Sequence, residues 1–214
     1  DENDGFAGVP YEVFIFPGIL TMTVLFQSVF YGLYIVWDRK IDFLKEVLAA
    51  PLNRSTVFLG KCLGGVTDSM IQVTIIIVLG FFIFPDIEYT LQSIMLVYLY
   101  LFLLAVIMTS LGLIIGSRMD SPEGFSLITS LVVFPMYFLS GALFLKKSLI
   151  DEAPIIYWLT VINPASYAVD AIRYTMIPED IFLEFGLARD LTVLIGFCIF
   201  LLSLGTYCFK TMRL

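Results

Sequence analysis

The residues that could do chemistry in this 214-residue sequence are few and scattered. Asp68 interrupts an otherwise charge-free run from Cys62 to Phe84, and Asp170 lies three residues before Arg173. An ionisable residue inside an apolar segment is by default a functional candidate, so Asp68 either forms a local hydrogen bond or handles a proton or substrate. Asp170 and Arg173 can pair across one helical turn, which favours a structural clamp over a substrate site.

Several kinds of chemistry are excluded by what the sequence lacks. There is no histidine, so histidine general bases, catalytic triads and histidine-ligated metals are ruled out. The three cysteines, Cys62, Cys198 and Cys208, form no C-x-x-C pair of the kind found in zinc or redox sites. No nucleotide-binding P-loop occurs. We therefore expect a protein that is not an enzyme, with no metal or cofactor of its own, and any ATP and magnesium would be bound by a partner.

The composition indicates a membrane protein. The chain is 59% hydrophobic and 14% charged, whereas soluble domains are about 45–50% apolar and about 25% charged. Its net charge of −7 also argues against a nucleic-acid partner.

Five runs are long and apolar enough to cross a bilayer, which takes about 20 residues. We predict a single membrane domain over residues 1–214. The spans are expected at about 13–37, 62–84, 90–117, 124–145 and 190–209. The shorter stretch Pro154 to Val169 is broken by Pro164 and fits a re-entrant or interfacial segment. The expected fold is an all-α polytopic helical bundle with a re-entrant region at about 146–189.

The positive-inside rule gives these spans an orientation. Basic residues concentrate in three of the connecting or terminal segments: Arg39, Lys40, Lys45, Arg54, Lys61, Arg118, Lys210 and Arg213. We place those segments in the cytoplasm, with the N-terminus of this sequence and the re-entrant region outside and the C-terminus inside. Because the sequence starts in an acidic external segment without a signal peptide, we expect a preceding span; the alternative is a native protein with an external N-terminus.

The basic segment between the first two spans contains a short amphipathic helix, predicted at about 42–50. Phe43, Leu44, Val47 and Leu48 share one face of it, and Pro51 ends it. Such a helix can lie among lipid headgroups or insert into a groove of a soluble partner. Periodicity alone does not decide between these two roles.

Three strings of the sequence resemble the permease subunits of type-2 ABC exporters, and most closely the daunorubicin-resistance-like permeases for drug, lipid or polysaccharide export. They are IVWDRKIDFLKEVLAAPLNRSTVFLGK, FPMYFLSGALF and NPASYAVDAIR, in that order. The last is similar to the family signature NP-x-x-Y-x-x-D-x-x-R. Permeases of this kind have six spans, so the resemblance implies that five are present here and the first is missing.

The resemblance also implies roles for individual residues. The helix at 42–50 would be a coupling helix that docks on an ATPase subunit, through Phe43, Leu44, Lys45, Glu46, Val47, Leu48, Pro51 and Arg54. A broken fifth span and an external re-entrant hairpin would carry Pro135, Gly141, Asn163, Pro164, Tyr167, Asp170 and Arg173. Asp68 remains a possible intramembrane polar site.

The expected function is therefore that of the transmembrane subunit of an ABC exporter in a prokaryotic cell membrane. It would move an amphiphilic drug, lipid or glycan outward, with a second permease copy and a separate ATPase as partners. The alternative is an energy-independent secondary transporter or channel. Such a protein would be expected to carry midplane charges and internal repeats, and the sequence shows few of the former and no clear case of the latter.

Overall fold

The computed structural model of the chain describes residues 9–49, 53–85, 87, 89–143, 154–177 and 184–211. Within these ranges it contains α-helices and no β-strand. In chain order the helices are α1 (Tyr11–Phe30), α2 (Leu33–Lys40), α3 (Phe43–Ala49), α4 (Arg54–Ile83), α5 (Leu91–Arg118), α6 (Pro122–Phe138), α7 (Pro154–Ile162), α8 (Pro164–Met176) and α9 (Leu187–Lys210). The predicted all-α fold is confirmed.

Four helical segments of the described chain are long and apolar enough to cross a membrane. They are α1 continued by α2, then α4, α5 and α9, and they match four of the predicted spans. Helices α7 and α8 are bent by 86° at Asn163 and would supply a fifth span if the pair were counted as one. The chain is thus a polytopic membrane bundle.

Two predicted boundaries differ from the observed ones. Helix α4 starts at Arg54, eight residues before the predicted position, so its first two turns extend beyond the apolar run and carry Lys61. Helix α6 ends at Phe138 rather than at 145, because the chain turns at Gly141, which has a φ of 78°. With 17 residues, α6 is about 26 Å long, near the lower limit for crossing a bilayer core of about 30 Å.

Helix α5 is the centre of the bundle. It packs against α1, α4, α8 and α9, and it contributes fully buried side chains along its length, among them Leu101, Leu104, Ile107, Met108 and Leu113. Lipid tails are as apolar as these side chains, so close packing rather than the hydrophobic effect holds such helices together.

The closest approach in the bundle is between α5 and the junction of α1 with α2. A Cβ atom added at Gly112 would overlap the backbone carbonyl of Val29, and one added at Gly116 would overlap the carbonyl of Gly32. The G-x-x-x-G pattern of α5 therefore serves contact within the chain, which is how small residues commonly let helix backbones meet.

We expect Gly112→Ala to destabilise the protein, because the added methyl group must push α5 away from α1. Overpacking of this kind costs about 1–3 kcal/mol, and the thermal unfolding midpoint of the purified protein in detergent should fall accordingly. Gly60→Ala on α4 is the matched control, since a Cβ there meets no atom within 4 Å. Equal midpoints for the two variants would contradict the close contact.

Candidate functional site

The polar side chains of the described bundle gather at its two ends. At one end, which we call the hairpin end, α7 and α8 lie beside the start of α1 and the end of α6. At the other, which we call the loop-helix end, α3 lies beside α2, and α2 contacts the junction of α5 with α6. Asp68 lies on α4 between the two ends.

Asn163 fixes the bend of the hairpin. Its side-chain oxygen accepts a hydrogen bond from the backbone N–H of Ala165 at 3.0 Å and so caps α8, which begins with Pro164. An asparagine cap followed by proline is a strong signal for a helix start. The amide nitrogen of the same side chain donates to the carbonyl of Met136 at 2.6 Å. One residue thus starts α8 and ties it to α6, whose Pro135 lies beside that bond.

Tyr167 and Asp170 fasten the hairpin to its neighbours in the chain. The Tyr167 hydroxyl donates to the carbonyl of Val161 at 2.7 Å, and its ring stacks on Phe185 with centroids 4.8 Å apart. The carboxylate of Asp170 is buried and accepts hydrogen bonds from the backbone N–H of Glu184 at 3.0 Å and of Phe185 at 2.9 Å. Asp170 therefore fixes the backbone just before α9 begins.

Arg173 holds the turn that follows α6. Its side chain is 1% exposed, and one guanidinium nitrogen donates to the carbonyls of Gly141 and Ala142, both at 2.9 Å. The guanidinium also lies 4.0 Å from the centroid of the Phe14 ring on α1, a favourable cation–π distance. Arg173 thus connects α8, the turn after α6 and the start of α1.

The structure brings Gly141, Asn163, Pro164, Tyr167, Asp170 and Arg173 together as one hydrogen-bonded unit, with Pro135 on the adjoining turn of α6. Asp170 and Arg173 do not pair with each other as the spacing suggested; each binds backbone groups of a different segment. The reason is that unpaired backbone groups are costly in a membrane, so the two charges satisfy helix ends instead. Both side chains thus hold backbone segments in place.

The predicted helix at the loop-helix end is α3. It begins at Phe43, immediately after Asp42, which adopts a φ of 59° and so turns the chain sharply out of α2. Leu44 is fully buried against its own chain, whereas Phe43 and Glu46 are exposed and Val47 is half-buried. Leu44 is therefore an anchor, and the exposed surface of α3 is centred on Phe43 and Glu46. Pro51 lies outside the described residues, as do the side chains of Lys45 and Leu48.

Arg39 at the end of α2 joins this helix to the junction of α5 and α6, a role that the sequence did not reveal. Its guanidinium donates to the carbonyls of Ser117 at 2.8 Å and Met119 at 3.1 Å, and it pairs with Asp120 at 3.0 Å. These acceptors all lie at the junction of α5 and α6. A basic residue before a loop helix usually signals topology, so only the three-dimensional structure distinguishes Arg39 from its basic neighbours.

Three further contacts complete this end of the bundle. Lys61 on α4 forms an ion pair with Asp38 on α2. Arg54, which was expected to contact a partner, donates to the carbonyl of Lys210 on α9 at 3.5 Å, and Arg118 donates to the Thr211 hydroxyl at 3.3 Å. The helix that carries the exposed Phe43 is therefore linked to the rest of the bundle through α2 and α4.

Asp68 belongs to neither end. Its side chain is exposed on α4, two helical turns beyond Lys61, and it interacts electrostatically with the Tyr31 hydroxyl. In the part of the chain that the structure describes, no group of three histidine, cysteine, aspartate or glutamate side chains could hold a metal ion.

Comparison with known proteins gives a consistent result. The family model described as "ABC-2 type transporter" matches residues 4–177. The chain is 28% identical over 168 residues to ycf38 of Cyanophora paradoxa, named as a transport permease, which covers 77% of the chain and 56% of that protein. It is 28% identical over 173 residues to the inner membrane transport permease YadH of Escherichia coli (strain K12), and the match covers 78% of this chain and 63% of YadH. It is also 24% identical over 181 residues to nodulation protein J of Rhizobium leguminosarum bv. viciae, and the match covers 81% of this chain and 66% of that protein. The chain thus spans 56% to 66% of the length of these relatives.

The hairpin geometry generates a test of Arg173. Replacement by methionine keeps apolar bulk over Phe14 but leaves the carbonyls of Gly141 and Ala142 without donors. Hydrogen bonds to charged groups contribute about 1.5–3 kcal/mol, so the unfolding free energy should fall by about that amount or more. The control is Arg118→Met on α5, an exposed arginine at the other end of the bundle whose guanidinium makes one hydrogen bond, of 3.3 Å, to Thr211. If both variants unfolded at the same temperature in detergent, the clamp would be refuted.

Proposed function

The chain belongs to the ABC-2 type transporter family and is a membrane transport permease, and we propose that it is the transmembrane subunit of an ATP-driven exporter. Permeases of this family normally work with an ATPase. In our proposal a separate ATP-binding-cassette subunit binds ATP and magnesium and hydrolyses the ATP, while this chain provides the path. A second permease copy completes the path, and the substrate is an amphiphilic drug, lipid or glycan.

The observation that carries the proposal is the exposed surface of α3. Phe43 is 47% exposed and Ile41 beside it is 69% exposed, at the end of the bundle where basic residues collect. Buried Leu44 holds the helix to its own chain, so the outward residues are presented on a fixed support. An aromatic side chain presented in this way is a typical anchor for a partner groove. We therefore assign α3 as the coupling helix that contacts the ATPase, with Glu46 as a polar contact at its edge.

Arg39 supports a path for movement from the coupling helix into the bundle. Since α3 follows α2 after one tight turn, a displacement of α3 moves α2, and Arg39 carries that movement to the junction of α5 and α6. Helix α5 is central and contacts six other helices: α1, α2, α4, α6, α8 and α9. Rigid-body movements of this kind are a common way to switch a packed assembly between two states, provided that ATP-bound and ATP-free partners bind the two states differently.

The proposed contact of α3 with a cytoplasmic ATPase also fixes which end of the bundle faces which side of the membrane. The loop-helix end faces the cytoplasm of a prokaryotic cell, together with the C-terminus. The hairpin end and the N-terminal segment of this chain face outside, where the hairpin borders the exit of the path. An energy-independent transporter or channel is the competing function. It would be favoured if reconstituted protein moved substrate without the ATPase.

The docking assignment is tested by Phe43→Ala. Truncating an anchor in a partner groove typically costs about 2 kcal/mol or more, a loss of about 30-fold in affinity. We expect that loss when the purified variant is titrated with its cognate ATPase subunit, while its amount in the membrane stays unchanged. Phe82→Ala is the matched control, since Phe82 is 77% exposed near the other end of α4. Unchanged affinity in the Phe43 variant would contradict the assignment.

The transmission role is tested by Arg39→Met. We expect the variant to bind the ATPase normally and keep basal ATP hydrolysis, but to lose at least about fivefold in ATP-driven transport, in the usual range of coupling energies. Arg118→Met is the control at the same junction, because Arg118 makes one long hydrogen bond to Thr211. Transport at the unsubstituted rate in the Arg39 variant would exclude this route.

A further inference from the structure

An open groove runs along α1 and α2 at membrane depth, on the side that faces α4. It consists of two adjoining cavities of about 330 Å³ each, which share Gln27 and Phe30. Five of its eleven lining side chains are aromatic: Phe26, Phe30, Tyr31, Tyr34 and Trp37. Gln72 of α4 contributes to the opposite wall. We call this feature the aromatic groove.

Asp68 lies on α4 one helical turn before a residue that lines the aromatic groove. It is four residues before Gln72, so the two side chains share a helix face. Its carboxylate also interacts electrostatically with the hydroxyl of Tyr31, which lines the groove. The carboxylate is thus on the α4 face that borders the groove.

The Asp68 carboxylate makes no hydrogen bond or ion pair with any part of the chain that the structure describes. Asp38, the nearby carboxylate of α2, is paired with Lys61. A charge in a span without a partner is costly, and such residues mark substrate or ion pathways. Among the described residues, α1 and α4 are joined without Asp68, because Ser28 and Ser69 form a buried hydrogen bond of 2.7 Å between them.

The groove and the carboxylate together define a ligand chemistry. Aromatic faces attract organic cations, and Lys40 lies 5.4 Å from the Trp37 ring centroid at the loop-helix end of the groove. A carboxylate adds the complementary charge, and the apolar walls suit a ligand that partitions into the membrane. An anionic ligand would instead be repelled by Asp68. We propose that the aromatic groove and Asp68 bind an amphiphilic organic cation. That this cation is also the transported substrate rests on the proposed function.

The test is equilibrium binding of radiolabelled tetraphenylphosphonium to the full chain in lipid nanodiscs, without nucleotide or ATPase, after subtraction of empty nanodiscs. Asp68→Asn removes the charge and little else, and we expect it to raise the Kd at least about tenfold, or about 1.4 kcal/mol. Asp68→Glu should restore binding. Glu12→Gln, at an exposed position in the first turn of α1, changes the net charge equally and should leave the Kd unchanged.

Tetraphenylborate, which has the same shape and the opposite charge, serves as the second probe. Titrated separately, it should bind the unsubstituted protein at least about tenfold more weakly than tetraphenylphosphonium does. Equal Kd values for the Asp68→Asn and Glu12→Gln variants, or equally tight binding of the two probes, would overturn the proposal. So would a groove covered by a second copy, which would appear as a change of oligomeric state in Asp68→Asn without a change in cation binding.

Binding and transport can fail separately. If the Asp68-dependent binding is absent while the Phe43-dependent contact with the ATPase is present, the cation site is refuted and the exporter function stands. If cation binding depends on Asp68 but the ATPase does not associate, the site stands and the exporter function fails.

Discussion

Backbone polar groups inside a bilayer find no water, and the arrangement of the hairpin end follows from that constraint. Helix α6 stops after 17 residues, which leaves the carbonyls of its last turn and of the following turn in need of donors. Asn163 and Arg173 supply them, and Asp170 accepts from the N–H groups that precede α9. A short helix, a sharp turn and a bent helix pair are therefore stable together only with these three side chains in place.

The two ends of the bundle are consequently fastened in different ways. At the hairpin end Asp170 and Arg173 are buried and bonded to backbone, and breaking such contacts leaves polar atoms unsatisfied at a cost of about 1–3 kcal/mol each. At the loop-helix end the ion partner of Arg39, Asp120, has a side chain that is 93% exposed. Exposed ion pairs contribute about 0–1 kcal/mol. The ion pair of Arg39 with Asp120 can therefore break at low cost, whereas the ion pair of Lys61 with Asp38, whose side chains are 19% and 17% exposed, is better shielded from water and holds α2 to α4.

Much of this arrangement could be predicted from the sequence, and the failures have a common cause. Apolar runs located four of the spans, and Pro164 was recognised as a break in the stretch that forms α7 and α8. Periodicity placed Leu44 on the apolar face of α3 but could not tell whether that face meets its own chain or a partner. It also suggested that Asp170 and Arg173 pair, because local spacing contains no information on the distant carbonyls and N–H groups that bind them. Arg39 was missed for the same reason, since its acceptors lie about 80 residues away.

Asp68 differs from the other charges considered above in that it makes no hydrogen bond or ion pair with the residues that the structure describes. Asp170 and Arg173 bind backbone, Arg39 joins two segments, and Lys61 neutralises Asp38. An asparagine at 68 would fit the same space without the cost of an ion in the span. The adjoining groove is lined by five aromatic side chains and by glutamines on two helices, so it can hold an apolar body and orient a polar group. A carboxylate at this place is explained by a cationic ligand, since a ligand supplies the opposite charge that the described part of the protein does not.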